Sequence, residues 1–136
     1  RSYGDWNGDG NLDLAVVVAG EESIEVYKGD GLGNFKILSR HETGVNPHGL
    51  TSGDFNQDGN LDLAVSNRTS GGITIFLGKG NGNFENTSSI YTGNDGIAIA
   101  NGDFDGDGTI DLAMVSASSH SLLFYRGDGK GGFNLW

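Results

Sequence analysis

The stretch GDFDGDGTIDLAM, from Gly102 to Met114, places four aspartates within nine positions and then turns apolar. Taken singly it could be a solvated acidic loop. It has two close copies, GDWNGDGNLDLAV from Gly4 and GDFNQDGNLDLAV from Gly53, so the starts keep a period of 49 residues. A second motif keeps the same period. YKGDGLGNF starts at Tyr27, FLGKGNGNF at Phe76 and YRGDGKGGF at Tyr125. Two motifs locked to one spacing define an internal repeat, and a period near 50 points to a solenoid or propeller array.

The middle unit is the most complete. HGLTSGDF (48–55) reads as a first strand, followed by the acidic loop. LDLAVSN (61–67) reads as a second strand, apolar on both faces beyond Asp62 and so covered on both sides. ITIFLG (73–78), rich in β-branched and aromatic residues, is a third strand after the turn TSGG. KGNGN (79–83) is a glycine hairpin, and FENTSSIYT (84–92) a more polar outer strand. Four strands in about 49 residues make one blade of a β-propeller.

The sequence therefore predicts an all-β chain of three four-stranded blades, one segment over 1–136 with repeats near 1–43, 44–92 and 93–136. Three full units would need 147 residues against the 136 present, so the first and last blades are expected to be incomplete. Propellers close with about four to eight blades. The expectation is a partial ring, either a fragment or a subunit completed by other chains, with apolar end faces that need covering.

Composition agrees. Hydrophobic residues are 35% and glycines number 25, with no sustained helical period. No cysteine is present, so disulfides are excluded. No apolar run approaches the roughly 20 residues that span a bilayer, which argues against membrane insertion. Net charge is −10, the wrong sign for a nucleic-acid partner. More than half of the 18 acidic residues sit in the three loops.

In the third loop Asp103, Asp105 and Asp107 alternate, Gly108 permits a sharp turn, the Thr109 carbonyl follows and Asp111 closes the set. The corresponding groups are Asp5, Asn7, Asp9, the Asn11 carbonyl and Asp13 in the first loop. In the second they are Asp54, Asn56, Asp58, the Asn60 carbonyl and Asp62. Oxygen-only donors with several carboxylates suit a hard cation, and calcium better than magnesium. About three calcium ions are expected, one per repeat, which would bring the net charge to −4. An EF-hand would need Glu at position twelve, where this chain has Val16, Val65 and Met114. The extra carboxylate of the third loop predicts the tightest site there, weakened by Asp105→Asn.

These loops, with Leu-Ala after the last Asp in all three, and the GxGxGxF hairpins, resemble FG-GAP/VCBS-type repeats. Such repeats build the calcium-binding propeller of integrin α subunits and of many bacterial surface and secreted proteins. The literal Phe-Gly and Gly-Ala-Pro signatures are missing, and VNPHGLTSGDFNQDGNLDLAVSN (45–67) is closer to the VCBS-type variant. The resemblance implies a metal in the hairpin between a blade's first two strands, held by the residues named above. It implies that metal loops and glycine hairpins share one face of the ring. The loops around Ala19–Ser23, Arg68–Gly72, Ala117–Ser121, His41–His48 and Tyr91–Gly96 would lie on the other face, where ligands often bind.

Other chemistry finds less support. GDGLG (29–33) is not followed by a helix, so a hairpin turn is preferred to a phosphate loop. His41, His48 and His120 share no repeat position, and the serines form no nucleophile–base pattern. Trp6 stands where the other units have Phe55 and Phe104, which predicts packing. The sequons at Asn67 and Asn86 are what a chain rich in Asn, Ser and Thr produces by chance. A glycosidase needs one carboxyl of raised pKa, whereas carboxylates on a cation stay ionised. The expected function is a non-enzymatic, calcium-binding extracellular module, secreted or at the cell surface, that binds protein or carbohydrate in adhesion. The alternatives are a lectin with sugar pockets on or between blades, and a substrate-binding part of a carbohydrate-active enzyme.

Overall fold

The computed structural model of the chain describes residues 1–93 and 95–136, with residues 86 and 87 by their backbone alone. The sequon side chain at Asn86 and residue 94 of the Tyr91–Gly96 loop lie outside the described residues. Among the described residues, twelve strands form three antiparallel sheets, each a simple meander. The first holds β1 (Ser2–Gly4), β2 (Asp13–Val18), β3 (Ser23–Gly29) and β4 (Phe35–Glu42). The second holds β5 (Pro47–Gly53), β6 (Asp62–Asn67), β7 (Gly72–Gly78) and β8 (Phe84–Tyr91). The third holds β9 (Gly96–Gly102), β10 (Asp111–Ser116), β11 (Ser121–Gly127) and β12 (Phe133–Leu135). One 3-10 turn, Ala19–Glu21, is the helical content among the described residues. Strands β1, β5 and β9 lie side by side, so the sheets fan out from a common line. They are three blades of a β-propeller, and the described residues form no closed ring.

The repeat extends to backbone irregularities. The β3–β4 ladder shifts register between Val26 and Tyr27, and the β7–β8 ladder between Ile75 and Phe76, 49 positions on. A bulge at one repeat position bends each outer strand alike.

Two cores lie between the blades, and the period-2 alternation of strands builds both. On β6, Leu63 and Val65 face the first blade, where they join Trp6, Ala15, Ile24, Val26, Phe76 and Phe84. Ala64 faces the other way and packs with Phe55, Ile73, Ile75, Leu112, Met114, Tyr125 and Phe133. Every residue of β6 is buried, as its two apolar faces predict. Trp6 (2% exposed) and Phe55 (1% exposed) fill the same place in successive interfaces, which confirms packing for this position. Phe104, the third member, is 46% exposed, because no blade follows it in the described structure.

The blades are also joined by polar contacts. Gly82 N–H donates to the Trp6 carbonyl at 2.8 Å, and Gly131 N–H to the Phe55 carbonyl at 3.1 Å. Asn101 Nδ2 donates to the Ser52 carbonyl at 2.6 Å, and Gln57 Nε2 to the Gly108 carbonyl at 3.0 Å. The glycine hairpin of one blade is thereby tied to the acidic loop of the blade before it.

Candidate metal centres

Each acidic loop connects the first two strands of a blade and closes on its own carboxylates. Asp5 Oδ1 accepts from Gly8 N–H at 2.8 Å and Asp9 N–H at 3.2 Å, and its Oδ2 from Gly10 N–H at 2.8 Å. Asp103 accepts from Gly106, Asp107 and Gly108 at 2.7, 3.1 and 3.0 Å. Asp54 accepts from Asp58 at 3.0 Å and Gly59 at 2.9 Å. The third and fifth positions make local turns by bonding the N–H two residues on, the behaviour that makes Asp and Asn turn formers. Asn7, Asn56 and Asp105 accept from Asp9, Asp58 and Asp107 at 3.1, 3.3 and 3.1 Å. Asp9, Asp58 and Asp107 accept from Asn11, Asn60 and Thr109 at 2.9, 2.8 and 2.8 Å.

These bonds hold the fifth-position carboxyls below the ordinary range. Asn11 N–H is the main cause at Asp9, with Lys28 next, and Asn60 N–H is the main cause at Asp58. The Thr109 hydroxyl and then its N–H do the same at Asp107.

The ninth-position aspartates behave differently. Asp13, Asp62 and Asp111 are buried, and through both oxygens each ties the start of its loop to the end of the blade's third strand. Asp62 Oδ2 accepts from Phe55 N–H at 2.7 Å and its Oδ1 from Gly78 N–H at 2.8 Å. Asp13 binds Trp6 and Gly29 N–H at 3.0 and 3.0 Å; Asp111 binds Phe104 and Gly127 N–H at 3.0 and 2.9 Å. Burial pushes the Asp62 carboxyl up to about 6, against the pull of its two N–H donors, and the carboxylates of Asp58 and Asp54 add to the rise. A carboxylate oxygen has two lone-pair directions, so each can accept one N–H and still face a cation.

In the third loop, Asp103, Asp105 and Asp111 bring carboxylate oxygens within 4.8 Å of one another, a spacing that one hard cation can bridge. Asp107 is outside this trio, with Oδ1 taken by Thr109 N–H and Oγ1–H at 2.8 and 2.6 Å. It is the one such acidic trio among the described residues. The first two loops have Asn7 and Asn56 at the third position, where an amide oxygen takes the carboxylate's place. Their Nδ2 groups donate to Asp9 and Asp58 at 3.2 and 3.1 Å.

Two basic residues that the motif did not reveal sit on the loops. Lys28 Nζ lies 2.9 Å from Asp9 Oδ2, and an Arg126 guanidinium nitrogen 2.7 Å from Asp105 Oδ2. They occupy one repeat position, at which the second blade has Leu77. A comparison of the YKG, FLG and YRG segments marks that position as variable in charge, the signal that could have found them. Arg126 offsets the carboxylate that distinguishes the third loop, and it also stacks 4.9 Å over the Trp136 ring. Arg126→Gln is expected to strengthen divalent-cation binding at the third loop several-fold at low salt, with the gain shrinking as salt screens the charge. A titration of the variant at two ionic strengths checks it; equal affinities at low salt would contradict it.

The glycine hairpins lie against the acidic loops. The Asn11 and Asn60 side chains reach the positions that a Cβ on Gly31 or Gly80 would fill. Thr109 Oγ1 also approaches the Gly127 carbonyl at 3.2 Å. The two 49-residue motifs thus form one unit, which explains their locked spacing.

Of the remaining loops, Val45 N–H donates to Ser70 Oγ at 3.1 Å, and Asp95 binds Ser118 N–H at 2.7 Å and the Ser116 hydroxyl at 3.3 Å. The histidines stay apart. His41 packs between the Phe76 and Phe84 rings, where burial lowers its pKa, while His48 Nδ1 meets the Ile97 carbonyl at 3.0 Å.

No curated protein matches the chain. Among solved structures, that of BBS1N in complex with ARL6DN, soaked with lead, aligns with 98% of this chain at 14% identity and a TM-score of 0.43. The alignment covers 54% of that protein, so the chain spans about half its length. The pattern of the FG-GAP-like repeat matches residues 5–65 and again 54–114, taking in all three acidic loops. With most of its length matched and the repeat written into its sheets, the chain belongs to the FG-GAP-like repeat family.

Proposed function

We propose that this chain is a calcium-stabilised propeller module that works outside the cell by binding a protein or glycan partner, without catalysis of its own. Its ring would be completed by further blades, from the parent chain or from other subunits. The observation that carries the reading is the threefold recurrence of one oxygen-lined loop, whose third copy gathers three carboxylates within 4.8 Å. Clustered carboxylates repel one another, and a divalent ion in each loop would convert that repulsion into a tie between the first two strands. The donors would be the side chains of Asp5, Asn7, Asp9 and Asp13 with the Asn11 carbonyl, and their counterparts in the other loops. The non-catalytic reading draws support from the buried aspartates, whose oxygens are already engaged by backbone N–H groups.

Extracellular calcium modules bind at about 0.1–1 mM. At about 1 mM calcium each site would then stabilise the chain by roughly 0.4–1.4 kcal/mol, and three by roughly 1–4 kcal/mol. Melting with calcium and then with chelator tests this: a rise of several degrees on adding calcium is expected. A melt indifferent to chelator would leave the aspartates as solvated turns. The same material on glycan and protein arrays, each with a chelator control, separates the two partner classes. Calcium affinity at the second loop is also expected to fall as pH drops below about 6, because Asp62 must give up its proton to face an ion. A pH-independent affinity in an Asp62-dependent titration would contradict this.

A further inference from the structure

One position breaks the pattern of the three acidic loops. The fourth residue is Gly8 in the first loop, Gln57 in the second and Gly106 in the third. The backbone there is left-handed in all three, with φ of 73°, 59° and 78°. Glycine adopts that conformation freely, whereas Gln does so at a cost in strain. Gly8 and Gly106 N–H also donate to the leading aspartate, at 2.8 and 2.7 Å. Gln57 N–H makes no such bond among the described residues; Asp54 accepts from Asp58 and Gly59 instead. The second loop therefore carries strain and lacks a bond that its two copies have.

What the glutamine adds is reach. Its Nε2 donates to the Gly108 carbonyl of the next blade at 3.0 Å, and a Cβ on Gly129 would stand 3.5 Å from its Oε1. The amide thus sits between the acidic loop and the glycine hairpin of the third blade. The Gly108 carbonyl shares a peptide unit with Thr109 N–H, which donates to Asp107 Oδ1 at 2.8 Å. Gly108 N–H donates to Asp103 Oδ2 at 3.0 Å. Gln57 therefore holds the segment that joins Asp107 to the Thr109 carbonyl, two candidate donors of the third loop. In its own loop it stands between Asn56 and Asp58, two candidate donors of the second. The first loop has no counterpart, because Gly8 has no side chain to send across. The hairpin ties, Gly82 N–H to the Trp6 carbonyl and Gly131 N–H to the Phe55 carbonyl, are common to both junctions. The Gln57 bond is what the second junction adds.

We propose that Gln57 couples the second and third loops, so that calcium held in one strengthens binding in the other. The proposal rests on the calcium reading above and adds a regulation of those sites. Ordering Asn56 and Asp58 around a cation fixes the Gln57 backbone between them, and with it the bond to Gly108. The third loop then has less freedom to lose on binding, which is positive cooperativity without a change of shape. Linkage makes the effect reciprocal, so filling the third loop helps the second by the same factor. A neutral hydrogen bond of ordinary net strength corresponds to about two- to tenfold in affinity. Gln57 is a positioning residue here and not a ligand.

A calcium titration of the isotopically labelled chain, followed by NMR at the Gly10, Gly59 and Gly108 amides, reads one isotherm from each loop. In Asp54→Ala the Gly108 midpoint is expected to move to about two- to tenfold higher calcium, and the Gly10 midpoint to move less. Asp103→Ala is expected to move the Gly59 midpoint by the same factor. Where alanine disorders the second loop, Asp54→Asn keeps an acceptor oxygen and repeats the test. Gln57→Met keeps the length of the side chain and removes its donor, and Gln57→Gly removes the amide and also relieves the backbone. In either background Asp54→Ala is expected to leave the Gly108 midpoint in place. A Gly108 midpoint that ignores Asp54→Ala, a shift that survives both Gln57 substitutions, or an equal shift at Gly10 would each overturn the coupling while leaving three calcium sites. Amides that do not respond to calcium in any loop would overturn the metal reading and the coupling with it.

Discussion

Asp62→Ala is expected to destabilise the chain by roughly 3 kcal/mol in calcium and to abolish cation binding at the second loop. The carboxylate joins the start of the acidic loop to the end of β7 through Phe55 and Gly78 N–H, in a fully buried place. Alanine leaves both donors without partners. An unpaired buried donor costs about 1–3 kcal/mol, and there are two here. Asp62→Asn is expected to lie between wild type and alanine, since an amide has one acceptor oxygen for two N–H groups. Chemical denaturation of the three proteins, with and without calcium, checks the order. The alanine loss should persist in chelator, because the backbone bonds do not need the ion. A loss seen only with calcium would mean that Asp62 is a ligand and not a structural clamp.

Gly78→Ala is expected to be as damaging, for a steric reason. A Cβ there would stand 2.1 Å from the Leu61 carbonyl oxygen, well inside contact distance and against backbone that cannot rotate away. The same approach recurs at Gly29 with Leu12 (2.1 Å) and at Gly127 with Ile110 (2.0 Å). Each third strand must end in a residue without a side chain so that the acidic loop can lie against it. Overpacking of this kind typically costs about 1–3 kcal/mol and more when the backbone must move, so roughly 3 kcal/mol is expected. Gly20→Ala is the control: nothing lies within 4 Å of its would-be Cβ, and its stability should stay within about 0.5 kcal/mol of wild type. Equal melting of the two variants would show that this loop–strand contact does not constrain the fold.

Much of the fold was legible because the repeat is spelled in two motifs and each strand has one kind of alternation. Leu63, Ala64 and Val65 are apolar in succession, which is possible only where both faces of β6 are covered, and both are. The short first and last strands match the residue count, with β1 and β12 of three residues each. The role of the ninth aspartate was half legible. Its spacing suggests a cation donor, but its burial and its bond from the N–H at the end of the third strand are tertiary contacts that loop spacing does not encode. The same holds for Lys28 and Arg126, which reach the loops from β3 and β11 across the sheet. The charge count of a loop therefore overstates its free charge. Asp105 gives the third loop a fourth carboxylate, and Arg126 stands against it.

The most direct test is a calorimetric calcium titration of the metal-stripped chain, repeated on Asp5→Ala, Asp54→Ala and Asp103→Ala. The account expects about three sites in the wild type. Each variant should lose one of them and keep the other two, with stability falling in step. Zero sites, or a stoichiometry that none of the three substitutions changes, would contradict the assignment of the aspartate loops as calcium centres.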